Sequence, residues 1–194
     1  MIKRTSKQHI EKILSSNPHW KVLDIGYGLG FLLSGISNKW DKYGIEISDY
    51  AAKHAAQYGR ISNINVEDYS TTEIKFDLIV IHHVIEHLDD PEIIIQNIHK
   101  LLRKNGRLII STPDFDSPSA RRYKDKYRLL HDKTHVSLFS NDSMHRFLRY
   151  YGFHIDSVEY PFFNTRHFNM NNLAKLFDTN AVSPPFCGNV MSFY

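Results

Sequence analysis

The sequence predicts an α/β fold with a mostly parallel, seven-stranded sheet. Short apolar runs alternate with amphipathic helical segments, which is typical of right-handed β–α–β units. The run Phe76–Ile81 is almost wholly apolar, as expected for a central strand that is covered on both faces. Three glycines at alternate positions, Gly26, Gly28 and Gly30, follow the first strand and predict a sharp turn into a helix.

The elements follow from apolar runs and from the residues that bound them. Strands are predicted at Lys21–Ile25, Tyr43–Ile47, Ile61–Val66, Phe76–Ile81, Arg107–Ser111, Phe153–Tyr160 and Val190–Tyr194. Ser48 and Ser140 stand where the N-caps of two helices are expected. A further helix is expected to begin with Asp90 and Pro91 and to end at Gly106.

The length of 194 residues suits a single domain spanning 1–194. An amphipathic N-terminal helix is expected within 1–18. Two stretches, 113–136 and 161–189, break the alternation of strands and helices. Long irregular segments in a compact domain are often functional, and because both stretches are rich in aromatic and cationic residues we interpret them as lids.

Composition excludes several classes of protein. Hydrophobic residues at 42% and charged residues at 23% are typical of a globular chain, and a net charge of +3 is too mild to indicate a nucleic-acid binder. The single cysteine, Cys187, excludes an internal disulfide framework. Neither a signal peptide nor a membrane span is expected, because charged residues interrupt the N-terminal segment. We therefore predict a cytoplasmic protein.

The glycine spacing argues against two nucleotide-binding motifs. A dinucleotide fingerprint, Gly-x-Gly-x-x-Gly, would need glycine where Phe31 stands, and no Gly-Lys-Ser/Thr follows as a P-loop requires. Glu46 ends the second strand about twenty residues beyond the loop, where a carboxylate can accept hydrogen bonds from both hydroxyls of a ribose. The pattern indicates a nucleoside ligand but does not show which nucleoside cofactor binds.

With these motifs the chain resembles the class I S-adenosylmethionine-dependent methyltransferases, and within them the small-molecule branch that includes ubiquinone-type and sugar methyltransferases. The resemblance covers roughly Trp20 to Tyr160. It is carried by the following segments: Asp24–Gly30, Glu46, Glu67-Asp68, Phe76–Leu88, Gly106–Ile110 and His135–Ser140. It implies a Rossmann-like three-layer sandwich, methyl transfer, and S-adenosylmethionine as the cofactor.

The resemblance also implies which residues hold the cofactor: Asp24, Gly26, Tyr27, Gly28, Gly30, Glu46, Ile47, Asp68, Tyr69 and His82. The backbone of the glycine segment would hold the methionine part, and Glu46 the ribose. The carboxylate of Asp24 suits a positively charged ligand.

The same resemblance places Asp68 at the adenine amino group, with Glu67 as an alternative. Ile47 and Tyr69 would pack on the adenine ring. Backbone near His82 would meet the ammonium group of the cofactor.

Methyl transfer to a hydroxyl requires a base, and histidine is the usual choice because its pKa lies near about 6.5. His83 follows the predicted fourth strand at its carboxyl end, where ligands bind in open α/β sheets. His135 ends the first lid-like stretch. Both are candidate catalytic residues, and a hydrogen-bonded structural or surface histidine is the alternative for each.

The segment His83–His87 also matches His-x-x-Glu-His, a zinc-protease signature. That motif needs a sustained helix, whereas here it directly follows a strand and a new helix begins at Pro91. Zinc hydrolysis is therefore disfavoured and no metal site is assigned. A looser divalent-metal role for Glu86 and His87 stays open.

The acceptor is narrowed by a missing motif and a charged segment. Enzymes of this fold that methylate amino groups of DNA, RNA or protein typically carry Asn/Asp-Pro-Pro-Tyr after strand four, which this chain replaces with His82–Ile85. Five basic residues are interleaved with Tyr123 and Tyr127: Arg121, Arg122, Lys124, Lys126 and Arg128. They could clamp phosphates or contact RNA, or they could form a solvated helix face.

We expect O-methylation of a small molecule, a sugar or a sugar-containing metabolite. The partner would then be a small-molecule acceptor, phosphorylated or glycosylated in some cases, and nucleic acid is disfavoured. The alternatives are an RNA or quinone-type methyltransferase, or a non-catalytic cofactor-binding protein of the same fold.

Overall fold

A computed structural model describes residues 19–69, 73–160, 167–185 and 189–194, and within them one seven-stranded sheet is formed. The strands are β1 (Lys21–Ile25), β2 (Asp41–Ile45), β3 (Arg60–Ser62), β4 (Phe76–His82), β5 (Leu102–Pro113), β6 (Val158–Glu159) and β7 (Val190–Phe193). β1 pairs in parallel with β2 and β4, β2 pairs in parallel with β3, and β6 and β7 are antiparallel. The predicted α/β fold with a mostly parallel sheet is confirmed.

The helices of the described residues fall between these strands. They are α1 (Phe31–Gly35), α2 (Asp49–Ala55), α3 (Pro91–Leu101), α4 (Pro118–Tyr123), α5 (Asn141–Tyr150) and α6 (Met170–Lys175). Short 3-10 helices occupy Val66–Asp68, Ile85–His87, Lys124–Lys126 and Arg128–His131.

The strand order, β3-β2-β1-β4-β5-β7-β6, reverses direction between β1 and β4. Ligands of open α/β sheets bind beside the carboxyl ends of the strands at such a reversal. β1 ends at Ile25, directly before the three alternate glycines, and β4 ends at His82. The topology therefore brings the predicted cofactor loop to the edge of the sheet where ligand binding is expected.

The chain divides into two compact units. One contains the described residues up to His82 together with Glu92–Ile110, and the other contains His83–Pro91 and the described residues from Ser111 onward. The first unit holds the glycine loop and β1 to β4. The second holds the segment after β4 and α4 to α6. The expectation of a single domain stays a prediction.

The helix caps predicted from local sequence are present. The side chain of Ser48 accepts a hydrogen bond from the Ala51 N–H at the start of α2. Ser140 forms a capping box with Ser143 at the start of α5. Pro91 is the first residue of α3, as its fixed φ favours.

Several predicted boundaries are wrong. α3 ends at Leu101, and Gly106 lies inside β5. A Cβ atom at Gly106 would lie 2.9 Å from the Arg103 carbonyl oxygen, so the glycine is required for a close backbone approach within the strand and does not end a helix. β3 covers only Arg60–Ser62, and β6 only Val158–Glu159.

The lid-like stretch 113–136 is more regular than predicted. The Ser117 hydroxyl caps α4 by accepting from the Ala120 N–H at 3.2 Å, and Pro118 stands in its first turn. Tyr123 and Tyr127 are buried in a hydrophobic cluster with Ala120 and Leu129. A packed cluster therefore organises this part of the second unit, and the interpretation of the stretch as a lid stays a prediction.

Two other predicted segments are described only in part or not at all. The predicted N-terminal helix, 1–18, lies outside the described residues, as do 161–166 and 186–188 of the stretch 161–189. In the part of the latter stretch that is described, α6 interrupts the irregular chain.

A buried lysine fixes the end of α1. The Lys42 ammonium donates hydrogen bonds to the carbonyls of Leu33 and Ile36 at 2.7 and 2.8 Å, and to Asn38 Oδ1 at 2.8 Å. These carbonyls close the helix and have no partner further along it. Burial lowers the pKa of Lys42. The cation holds α1, which follows the glycine loop, against β2.

Replacing Lys42 with methionine is expected to destabilise the protein. The Lys42→Met side chain fills similar space but leaves two helix-end carbonyls without their donor, which costs about 2–3 kcal/mol. Urea unfolding followed by circular dichroism measures this loss. The exposed Lys39→Met variant is the control, with an expected change within about 0.5 kcal/mol. Equal stability of the two variants would show that Lys42 does not anchor α1.

Candidate active site

The turn after β1 requires its glycines. Gly26, Gly28 and Gly30 have φ angles of 71°, 53° and 81°, all in the left-handed region that side chains with a Cβ rarely adopt. A Cβ at Gly30 would also lie 2.8 Å from the Tyr58 ring. At Gly28 the corresponding position meets nothing within 4 Å, so this part of the turn faces open space.

Glu46 links this turn to the start of α2. Its Oε2 accepts a hydrogen bond from the Gly28 N–H at 2.7 Å, and its Oε1 accepts from the Ser48 N–H at 2.9 Å. Each carboxylate oxygen has two lone pairs, so one on each oxygen remains for a ligand. The geometry suits a pair of neighbouring hydroxyls, as the sequence predicts.

Asp24 is buried at the centre of the sheet, with 4% of its surface exposed. It pairs in register with Gly44 of β2 and Val80 of β4. Burial, and secondarily the neighbouring Glu46 carboxylate, raise the pKa of Asp24 well above its usual range. A positively charged ligand near this position would offset both effects.

The side chain of Tyr27 packs inside the protein, and the cofactor-binding role predicted for the backbone of its loop stays a prediction. It is 4% exposed, and its hydroxyl donates to the Ala55 carbonyl at 2.8 Å. Its ring lies against Gly44, where a Cβ would be 2.9 Å away. Its N–H donates to the Ile45 carbonyl. Tyr27 therefore holds the loop against α2 and β2.

The remaining predicted cofactor residues lie on short segments after β2 and β3 and at the end of β4. Ile47 directly follows Glu46 and is 71% exposed, which leaves its apolar side chain accessible for packing on the adenine ring. Asp68 is exposed at the end of its 3-10 helix, and Tyr69 is half-buried. Glu67, the alternative to Asp68, accepts a weak 3.5 Å hydrogen bond from Asn65. His82, the last residue of the predicted set, is also the last residue of β4.

In the second unit, His83 is held by a buried carboxylate. His83 Nδ1 lies 3.0 Å from Oε1 of Glu86, and the histidine side chain is 49% exposed while that of the glutamate is fully buried. The Thr112 hydroxyl donates to Glu86 Oε2 at 3.0 Å. Burial pushes the pKa of Glu86 upward, but the hydrogen bonds from His83 and Thr112 outweigh it and leave that pKa below its usual value.

Sequence reasoning missed the part that Glu86 plays beside His83. The i, i+3 spacing in His83–Glu86 was the available signal, but only a metal role was considered for the glutamate. His83 also has a φ of 55°, and its N–H donates to the Ser111 carbonyl. This strained backbone turns the chain at the carboxyl end of β4.

His135, the second candidate base, is more enclosed. Its Nδ1 lies 2.8 Å from the Leu129 carbonyl oxygen, and its side chain is 7% exposed. Its ring contacts those of His87 and Phe115, with centroids 5.0 and 5.9 Å apart. His83 and His135 are thus placed in different surroundings within the same unit.

The zinc-protease interpretation fails on backbone geometry. Ile85–His87 forms a single 3-10 turn, and the positive φ of His83 lies before it. His83 and His87 therefore do not stand one turn apart on an α-helix, as that signature requires.

The basic segment, Arg121–Arg128, carries buried as well as solvent-exposed side chains. Its interleaved tyrosines, Tyr123 and Tyr127, are buried and cannot stack on bases. Arg121 makes two hydrogen bonds to the Asp116 carboxylate, and Arg122 donates to the Leu176 carbonyl. The segment is a solvated face over a packed cluster.

The family model described as a methyltransferase domain matches residues 2–158. The chain belongs to this family. The predicted methyltransferase class is thereby confirmed at the level of the family, and S-adenosylmethionine as its cofactor remains what the resemblance implies. Within the described ranges, no helix is both long and apolar enough to cross a bilayer.

Curated relatives match part of the chain. A ubiquinone biosynthesis O-methyltransferase from Histophilus somni is 31% identical over 56% of this chain and 51% of its own. Another ubiquinone biosynthesis O-methyltransferase, from Glaesserella parasuis, is 35% identical over 47% of this chain and 44% of its own. An uncharacterized protein from Methanocaldococcus jannaschii is 29% identical over 62% and 58%. The chain spans about half the length of these curated relatives.

Solved structures share the fold at low sequence identity. The YcgJ protein from Bacillus subtilis covers 97% of both chains with a TM-score of 0.71 and 14% identity. The plantazolicin methyltransferase BpumL, solved with SAH, has a TM-score of 0.67 and 18% identity over 97% of this chain and 80% of its own. The [4+2]-cyclase SpnF has a TM-score of 0.66 and 17% identity over 80% and 58%. The Rossmann-like fold is confirmed.

Replacing Asp24 with asparagine is expected to stabilise the ligand-free protein and to weaken cofactor binding. Because the folded-state pKa of Asp24 is raised, its ionisation opposes folding as the pH rises above the ordinary carboxyl value of about 3.9. The Asp24→Asn variant should therefore have the higher Tm near neutral pH, and this difference should shrink in acid. Calorimetry with S-adenosylmethionine should show at least about tenfold weaker binding.

The exposed carboxylate of Asp41 supplies the control. Asp41→Asn should change neither the Tm near neutral pH nor the affinity for S-adenosylmethionine. A lower Tm of Asp24→Asn at neutral pH, or unchanged affinity, would contradict the assigned role of Asp24.

Proposed function

We propose that the chain transfers the methyl group of S-adenosylmethionine to a hydroxyl oxygen of a small, quinone-type aromatic acceptor. The observation that carries this proposal is the pair formed by His83 and the buried Glu86 in a member of the methyltransferase domain family. The pair is the arrangement that deprotonation of a hydroxyl needs.

The base follows from the hydrogen bond between the two side chains. An ionised carboxylate only accepts hydrogen bonds, so His83 Nδ1 carries the proton and Nε2 carries the lone pair. Nε2 of a half-exposed ring can accept a proton from an acceptor hydroxyl, and Glu86 then stabilises the imidazolium. His135 has only a neutral carbonyl behind its Nδ1 and is more enclosed, which favours His83 as the base.

The methyl group of a sulfonium is already activated. The protein must align the nucleophile, the methyl group and the sulfur, and exclude water. In our proposal Asp24 faces the cationic part of the cofactor, the glycine turn holds the methionine part, and Glu46 binds the ribose hydroxyls. Ile47 and Tyr69 pack on adenine, Asp68 binds its amino group, and the backbone at His82 meets the ammonium group.

The acceptor class rests on the named relatives. Two of the relatives described above are named ubiquinone biosynthesis O-methyltransferases, whereas the sugar acceptor expected from resemblance has no such support. A phenolic hydroxyl is also acidic enough for a histidine to deprotonate in part. The solvated basic segment gives no support to an RNA acceptor.

A second candidate function is a cofactor-binding protein that performs no methyl transfer. The likeness to the [4+2]-cyclase SpnF supports this candidate, since the same fold occurs in a protein named for a different reaction. Formation of S-adenosylhomocysteine distinguishes the two candidates.

Turnover should depend on His83. With S-adenosylmethionine and a panel of catechols, hydroquinones and sugars, mass spectrometry should detect a methylated phenol together with S-adenosylhomocysteine. His83→Gln should lower kcat by about a hundredfold or more, because it removes the base, and should leave the affinity for S-adenosylhomocysteine unchanged.

His154→Gln is the matched control, since the His154 side chain is 91% exposed. It should retain the wild-type kcat. Loss of turnover in His135→Gln but not in His83→Gln would reassign the base. A protein that binds the cofactor and methylates no member of the panel would favour the second candidate.

A further inference from the structure

Three metal-binding side chains converge in the second unit, beside the proposed base. Glu86, His87 and His135 each offer one potential ligand atom, and these atoms all lie within 4.8 Å of one another. The two segments that carry them are joined by backbone bonds, because the N–H groups of Val136 and Ser137 both donate to the Glu86 carbonyl. The cluster is therefore held by the fold and not only by side-chain rotamers.

Both imidazoles are fixed in the tautomer that a metal requires. His87 Nδ1 lies 3.0 Å from the Thr134 carbonyl oxygen, and His135 Nδ1 lies 2.8 Å from the Leu129 carbonyl oxygen. A carbonyl only accepts hydrogen bonds, so in the neutral form of each ring Nδ1 carries the proton and Nε2 carries the lone pair. Histidines that bind metals almost always donate their other ring N–H in this way.

The carboxylate is oriented in the same manner. Glu86 is fully buried, and its two oxygens accept from His83 and the Thr112 hydroxyl, both at 3.0 Å. At least one lone pair of the carboxylate remains for a ligand. A buried carboxylate with both oxygens held by donors can serve as a ligand without further ordering.

We propose that Glu86, His87 and His135 bind one divalent transition-metal ion of the zinc type. Two imidazoles and one carboxylate form the ligand set of catalytic zinc sites that keep a fourth position open. Ligands around such an ion stand about 3.4 Å apart, so the three side chains must close by roughly 1 Å, and the exposed ring of His87 can move. Magnesium and calcium prefer oxygen ligands throughout and fit this set poorly.

A competing explanation involves Asp132. Its Oδ2 lies 3.8 Å from His135 Nε2, and its Oδ1 accepts from the N–H and hydroxyl of Thr134. If His135 only forms an ion pair with Asp132, its Nε2 carries a proton and no metal binds. Direct measurement of metal binding separates the two explanations.

The inference goes beyond the proposed function, and its test needs neither cofactor nor acceptor. The chain, free of any histidine tag, is treated with a chelator, dialysed and titrated with zinc chloride in a calorimeter. We expect one zinc ion per chain and a higher Tm in its presence. His87→Ala should weaken zinc binding by at least about tenfold, because even outer-shell changes cost that much.

His154→Ala is the control for surface histidines and should bind zinc as the wild type does. His135→Gln, whose ring is partly enclosed, serves as a second variant once circular dichroism shows that it folds, and it too should lose zinc. Cobalt(II) should give the visible absorption of a four- or five-coordinate site in the wild type only. Absence of stoichiometric zinc binding, or equal affinity in wild type and His87→Ala, would overturn the proposal.

Discussion

The carboxylate of Glu46 is the constraint on which the first unit depends. It accepts the N–H of Gly28 on one oxygen and the N–H of Ser48 on the other, and so joins the glycine turn to the first residues of α2. Left-handed φ angles at three alternate positions leave the turn without a regular hydrogen-bonding pattern, and this carboxylate supplies a fixed acceptor. Tyr27 adds a second anchor through its bond to Ala55. These contacts hold the loop against β2 and α2.

The charges around this loop bear on which ligand it takes. Asp24 is buried close enough to Glu46 for the second carboxylate to raise its pKa further. Two carboxylates behind a turn would repel the pyrophosphate of a dinucleotide, whereas an ammonium and a sulfonium would be attracted. The charge of this pair of carboxylates thus favours a cationic nucleoside as the ligand.

Local sequence signals predicted the features of the fold that depend only on neighbouring residues. β1 was predicted to the residue because an apolar run ends at glycine, and the Ser48 cap follows from one hydroxyl before a helix. Contacts between distant segments could not be read in this way. The Tyr27 hydroxyl donates to the Ala55 carbonyl, 28 positions away, and Glu86 accepts a hydrogen bond from a threonine 26 positions away. The burial of Tyr123 and Tyr127 within the basic segment is another result of tertiary packing, which the local sequence does not display.

The central claim is that Glu46 holds the loop and also binds the ribose of the cofactor. Calorimetry with S-adenosylhomocysteine and its 2′-deoxy analogue, on wild type and Glu46→Gln, tests it most directly. We expect the wild type to bind S-adenosylhomocysteine at least about tenfold more tightly than the 2′-deoxy analogue. Glu46→Gln should lose this difference in affinity while it remains folded. An undiminished preference in Glu46→Gln, or binding of NAD in place of S-adenosylhomocysteine, would contradict the account.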